Sequence, residues 1–171
     1  LYVAPEGAST DRFDGIITIG DKNYVLPVPF TELEKDGWTL DTAVGGYISG
    51  KSYESTYMEK NGEKLSIKLD NFTGNAILPK YGYITEIGVE ADYYTGNIVF
   101  PGGIALGEDG SRIESMYSDL GDDFSKDEYT YFVSYYVYYY EDDDYISISA
   151  YADPENGKIT DYSYSTSKKI E

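Results

Sequence analysis

Neither cysteine nor histidine occurs among the 171 residues. Their joint absence removes disulfides, thiolate nucleophiles, thiolate zinc sites, imidazole bases and imidazole metal ligands. Basic residues are scarce as well, 13 against 31 acidic ones, for a formal charge of −18. A field of that sign repels phosphate backbones and anionic lipid surfaces, which argues against nucleic acid or a membrane surface as partner. It leaves two roles for the charge, solubility or the steering of a basic partner. No apolar run reaches the length of a membrane span, so direct membrane insertion by this chain is not expected.

What is present is apolar and aromatic mass: 41% hydrophobic and 16% aromatic residues, with 18 glycines and only 6 prolines. That composition supports a real core, speaks against disorder, and fits many turns between short elements. The chain starts at Leu1 and continues through a loose stretch, Tyr2–Asp11. Such a start resembles a mature terminus left by removal of an export signal. An extracytoplasmic place is therefore expected, secreted or at the cell surface, with a lipid anchor through an upstream cysteine equally compatible.

Self-similarity organises the sequence. Phe13-Asp14-Gly15-Ile16-Ile17-Thr18-Ile19-Gly20-Asp21 resembles Phe100-Pro101-Gly102-Gly103-Ile104-Ala105-Leu106-Gly107-Glu108. Each copy leads into a short helical pattern that ends at glycine. The first is Pro29–Asp36 before Gly37, with proline in the first turn and acids near the start. The second is Ser111–Leu120 before Gly121, with Ile113, Met116, Tyr117 and Leu120 on one stripe and Asp109 or Ser111 as cap. Strand patterns follow in matching order: Lys64–Leu69 with Tyr145–Ala150, then Ile84–Glu90 with Ile159–Ser165. Ordered matches of this kind predict an α+β fold of two tandem repeats, each a short helix packed on an antiparallel β-meander. The expected division is a tail over 1–12, a first repeat over 13–91, a connection over 92–99, a second repeat over 100–165 and a tail over 166–171.

Asn61-Gly62 and Asn156-Gly157 are turn signals, and the acidic run Glu141–Asp144 suits a solvated hairpin tip. Between Tyr145 and Tyr151 the alternation puts Ile146, Ile148 and Ala150 inward and Tyr145, Ser147, Ser149 and Tyr151 outward. Leu65, Ile67 and Leu69 keep the inward role in the first half, with Lys64, Ser66 and Lys68 outside. One long strand is expected over Glu128–Tyr140. Its valines make the odd-numbered face core (Tyr129, Tyr131, Val133, Tyr135, Val137, Tyr139), and a bulge could switch the faces partway.

The outward set Tyr136, Tyr138, Tyr140, Tyr145, Ser147, Ser149 and Tyr151 is the candidate binding surface. Tyrosine with serine is the composition of adaptable recognition surfaces. Tyrosine is equally at home in half-exposed strands for its β propensity alone. A protein is the expected partner, with carbohydrate as an alternative. No Gly-x-Ser-x-Gly elbow or phosphate-binding glycine loop is present, and the acidic runs lack EF-hand spacing. No catalytic residue, metal site or cofactor is expected. Asn71-Phe72-Thr73 matches the glycosylation sequon, idle in a bacterial protein.

The segment Phe100–Gly107, the Ser111–Leu120 helix, Gly121-Asp122 and the tyrosine-rich strand together resemble domains of secreted proteins and lipoproteins of Gram-positive bacteria. Those domains are similar to the β-lactamase inhibitory protein and to single-copy outer-membrane lipoproteins of the SmpA/OmlA type. The first half follows through Val25-Leu26-Pro27, Phe30–Asp36 and Gly37-Trp38-Thr39-Leu40. The resemblance implies a sheet whose open, concave face binds another protein. The inhibitor's halves carry disulfides, this chain has no cysteine, and no inhibitory residue carries over. A non-catalytic binding or scaffold module is thus expected. The alternatives are a carbohydrate-active enzyme using paired carboxylates and a structural domain of a cell-surface assembly.

Overall fold

Alternating apolar and polar residues become strands throughout the computed structural model, which describes residues 1–42 and 44–170. Ala43 of the expected first repeat and Glu171 of the expected C-terminal tail lie outside the described residues. The elements run β1 (Ile16–Ile19), β2 (Lys22–Val25), β3 (Val28–Pro29), α1 (Phe30–Lys35), β4 (Thr39–Leu40), β5 (Tyr53–Lys60), β6 (Glu63–Asp70) and β7 (Tyr83–Glu90). They continue with β8 (Ile98–Phe100), β9 (Ile104–Ala105), α2 (Ser111–Tyr117), β10 (Phe124–Glu128), β11 (Val133–Glu141), β12 (Asp144–Ala152) and β13 (Ile159–Thr166). The α+β expectation holds in coarse form, as mostly antiparallel sheet with two short helices.

The large sheet has the order β10-β11-β12-β13-β7-β6-β5-β4, with β3 also against β7. Its middle is the β13–β7 pair, where Tyr164 faces Ile87 and Tyr162 faces Val89. A smaller sheet, β2-β1-β8-β9, joins segments far apart in sequence through the β1–β8 pair. Both sheets and both helices feed one apolar cluster. Ile17, Phe100 and Ile104 come from the small sheet, Phe30 and Leu33 from α1, and Ile113 and Tyr117 from α2. Leu65, Ile67, Ile148 and Tyr162 enter it from the large sheet, and the Phe100 and Tyr162 rings meet at 4.4 Å.

Local chemistry explains the boundaries. Pro29 leads into α1, and Gly37 at φ 92° takes the chain out of it. Before α2, the Asp109 carboxylate accepts the Ser111 N–H at 2.8 Å. The helix passes at Ser118 into a 3₁₀ stretch bent by Gly121 at φ 63°. Asn61 and Gly62 both have positive φ and close a two-residue hairpin between Lys60 and Glu63. Asp142, at φ 55°, does the same at the acidic tip. Asn156-Gly157 instead sits in a wider connection, where only Gly157 is left-handed.

The expected single strand over 128–140 is two strands. The chain reverses at 129–132, where the Tyr129 N–H donates to the Phe132 carbonyl at 2.9 Å. Phe124–Glu128 then pairs with β11, with Ser125 opposite Tyr136 and Asp127 opposite Ser134. Tyr129 and Tyr131, expected inward, lie in the reversal and are exposed. Their neighbours Lys126, Asp127 and Glu128 lack apolar alternation because an edge strand needs only backbone pairing, and charge there discourages further pairing.

The N-terminal stretch is tied down. The Tyr2 hydroxyl accepts the Val25 N–H, the Ser9 hydroxyl accepts the Gly102 N–H, and Arg12 pairs with Asp119 at 2.6 Å while lying over the Phe13 ring. In the expected connection 92–99, Tyr94 is buried and Ile98 begins β8.

The sequon asparagine has an internal role. Asn71 is buried, its amide donates to the carbonyls of Ile48, Ser49 and Asn75, and its oxygen accepts from Thr73. It thereby ties the 48–52 loop to the 71–77 loop, where a Cβ on Gly50 would overlap the Gly74 carbonyl. Asn71→Ala removes these three amide bonds and the acceptor of Thr73, although each carbonyl keeps one other donor, from Ile77, Ser52 or Thr73. We expect a loss of about 2–3 kcal/mol in urea unfolding, and a loss under about 0.5 kcal/mol would show that water replaces the amide.

The tyrosine and serine face as candidate functional site

Register fixes which side chains share the open face. In β11 the even-numbered Tyr136, Tyr138 and Tyr140 stand opposite Ser149, Ser147 and Tyr145 of β12, and Ser134 stands opposite Tyr151. Their odd-numbered neighbours turn inward: Tyr135 and Val137 are buried and Val133 and Tyr139 half-buried. All seven candidate residues of the sequence are therefore on one face. Tyr136, Tyr138 and Tyr140 are exposed at 41%, 45% and 58%. Tyr145, Ser147, Ser149 and Tyr151 are half-exposed, and Ser134 is buried.

The rings brace one another. Tyr138 stacks on Tyr145 at 5.0 Å and meets Tyr140 edge-on at 5.3 Å. Tyr136 and Tyr151 meet edge-on, with their hydroxyls 3.0 Å apart. Hydrogen bonding with Tyr140, which favours the protonated Tyr138 O–H, pushes the Tyr138 phenol up to about 12, and hydrogen bonding with Tyr151 raises that of Tyr136. Both phenols are consequently neutral donors and acceptors across the physiological range.

Toward the middle of the sheet the side chains become short. Ser149 faces Ser163, Ser163 faces Gly88, Gly88 faces Ser66, and Ser66 faces Tyr57. A Cβ on Gly88 would overlap the Ser66 hydroxyl. The result is a low floor between Tyr136 on β11 and Tyr57 on β5. On the first-half side the outward lysines are engaged, Lys64 with Asp41 and Lys68 with Asp70.

At the other end, the 129–132 reversal overhangs the face. A cleft of about 420 Å³ opens there, lined by Tyr131, Phe132, Tyr151, Asp153, Thr160 and Asp161. Sequence reasoning found Tyr151 and missed the rest. Phe132 and the two aspartates come together only through the reversal and through the irregular register at Tyr151/Ala152. The available signal was the unbroken Tyr129-Thr130-Tyr131-Phe132 beside a charged strand.

Elsewhere, a recess is lined in part by Tyr24, Asp36, Trp38 and Lys60, and Asp36 holds two of these side chains. The Tyr24 hydroxyl donates to Asp36 at 2.5 Å and the Lys60 ammonium to the Asp36 carbonyl at 2.6 Å. Asp109 and Asp119 are held below the usual carboxylate range by hydrogen bonds from Ser111 and Arg12, the reverse of what a general acid needs. Among the described residues, no group of three or more acidic side chains is placed to share a metal ion, and no helix is long and apolar enough to cross a membrane. No family model, curated protein or solved structure matches the chain.

Proposed function

We propose that this chain is an extracytoplasmic, non-catalytic binding or scaffold module that contacts another protein through its tyrosine and serine face. The observation that carries the proposal is the convergence of Tyr136, Tyr138, Tyr140, Tyr145 and Tyr151 on one accessible face, opposite the core. Rigid aromatic rings with hydroxyl tips give large contact area with few torsions to freeze, and a few such anchors dominate binding.

The proposal includes two tandem helix-plus-sheet repeats. The strand order supports it: outward from the β13–β7 pair, one side reads β12, β11, β10 and the other β6, β5, β4. In the small sheet, β1 and β8 are central, flanked by β2 and β9. The resemblance to β-lactamase-inhibitory-protein-like domains belongs to the same proposal, since it too implies an open sheet face turned to a partner protein.

Replacing Tyr138 and Tyr151 with serine tests the proposal. Each substitution removes cross-strand ring contacts on a solvated face, at a cost of about 0.5–1 kcal/mol. The double variant should unfold in one cooperative transition and bind the surface of the producing cells far more weakly than the parent chain. If it fails to fold, the tyrosines are core; if it folds and binds undiminished, the face is not the contact surface.

A further inference from the structure

We infer that the cleft under the 129–132 reversal takes a cationic side chain, arginine or lysine, from the partner protein. The inference rests on the tyrosine and serine face as contact surface and adds the chemistry of what lands there. The walls are aromatic. Phe132 meets Tyr151 edge-on at 5.2 Å and Tyr129 at 4.8 Å, while Tyr131 stands 87% exposed. Ring faces carry negative potential and attract ammonium and guanidinium groups.

The polar lining carries the same sign. Asp161 faces Tyr151 across β12 and β13, and one of its oxygens accepts the Thr160 hydroxyl at 2.7 Å. Asp153 accepts the Glu155 N–H at 2.7 Å through one oxygen and meets the Asn156 amide at 3.4 Å through the other. Among the described residues, neither aspartate forms an ion pair with a lysine or arginine, so both carboxylates keep acceptor capacity.

Charge complementarity selects the occupant. The outward-facing residues of β10 to β13 are tyrosine, serine and aspartate. Lys126 of β10 lies opposite the inward Tyr135 and pairs with Glu114 of α2. The nearby Lys158, whose carbonyl accepts the Asp153 N–H at 2.9 Å, does not line the cleft and forms no ion pair with either aspartate. The chain's charge of −18 draws a basic partner toward it over distance and repels an acidic one. Arginine fits best, because its planar guanidinium stacks on rings and presents several donors to carboxylates.

Magnetic resonance of the isotope-labelled chain tests this, with N-acetyl-arginine amide as probe and its uncharged isostere, N-acetyl-citrulline amide, as control. The arginine compound should shift the backbone signals of residues 131–132, 151–153 and 160–161, and the citrulline compound should not. Asp161→Asn and, separately, Phe132→Ser should each weaken the response about fivefold with signal dispersion unchanged, whereas Glu34→Gln at the exposed surface of α1 should leave it intact. Equal shifts from both compounds, or shifts spread over exposed acids such as Asp122 and Asp123, would overturn the cationic occupant. The contact face itself is judged separately by the cell-surface binding of Tyr138→Ser alone, since Tyr138 does not line the cleft, so the two can fail independently.

Discussion

Raising the pH above 10 is expected to unfold the protein cooperatively, because burial raises the pKa values of the Tyr117, Tyr162 and Tyr164 phenols above their ordinary value of 10.0. Desolvation is the leading cause in each case, and the Arg12 guanidinium beside the Tyr117 ring offsets only part of it there. The sign follows from linkage. The unfolded chain releases these protons first, so their contribution is whole below pH 10 and shrinks as the pH rises toward the folded-state values. Each buried phenol removes about 1.4 kcal/mol per pH unit, and three together about 4 kcal/mol per unit. A stability of the usual size, about 5–15 kcal/mol, is consumed within a few such units. Phenolate absorbance and circular dichroism followed together should show an early class of exposed tyrosines with the fold intact. A late class should then appear with the collapse of the far-ultraviolet signal. Complete phenol titration with the fold retained would contradict the burial of these rings.

The second large effect separates the ring of Tyr164 from its hydroxyl. Tyr164 is fully buried opposite Ile148 and Ile87, at the join of the two halves of the large sheet. Its hydroxyl is buried and, among the described residues, has no hydrogen-bond partner. Tyr164→Ala is expected to cost about 3–5 kcal/mol, because the cavity lies where the structure cannot close on it. Tyr164→Phe keeps the ring and removes the unpaired group, so it should be neutral or stabilising by about 1 kcal/mol. Urea unfolding of the two variants beside the parent measures both. A phenylalanine variant as unstable as the alanine one would mean that the hydroxyl is the group that matters.

Particular residues show why parts of this architecture were legible in the sequence. Ile146, Ile148 and Ala150 alternate with tyrosine and serine on a strand buried on one face only, so period alone assigned both faces. Asn61-Gly62 demanded a left-handed turn and Gly37 marked the end of α1, whereas α2 ends at Tyr117 and Gly121 only bends the 3₁₀ stretch that follows. The strand Phe124–Glu128 was hidden because its backbone, not its side chains, holds it against Val133–Val137. The pairing of Ile19 with Ile98 and the clamp of Asn71 on Ile48 depend on closure between distant segments, which no local pattern carries. The candidate face divides the same way. Its seven strand residues follow from alternation, while the cleft of Phe132, Asp153 and Asp161 exists only once the chain reverses at 129–132.

The most direct measurement is site-specific photo-crosslinking on the producing cells, with a photoreactive phenylalanine analogue at Tyr138 and, in a second variant, at the exposed Glu34 of α1. The account predicts a covalent adduct of one defined mass from position 138, diminished by Phe132→Ser or Tyr151→Ser, and none from position 34. Adducts from position 34 alone, or from both positions equally, would contradict a binding role for the tyrosine and serine face.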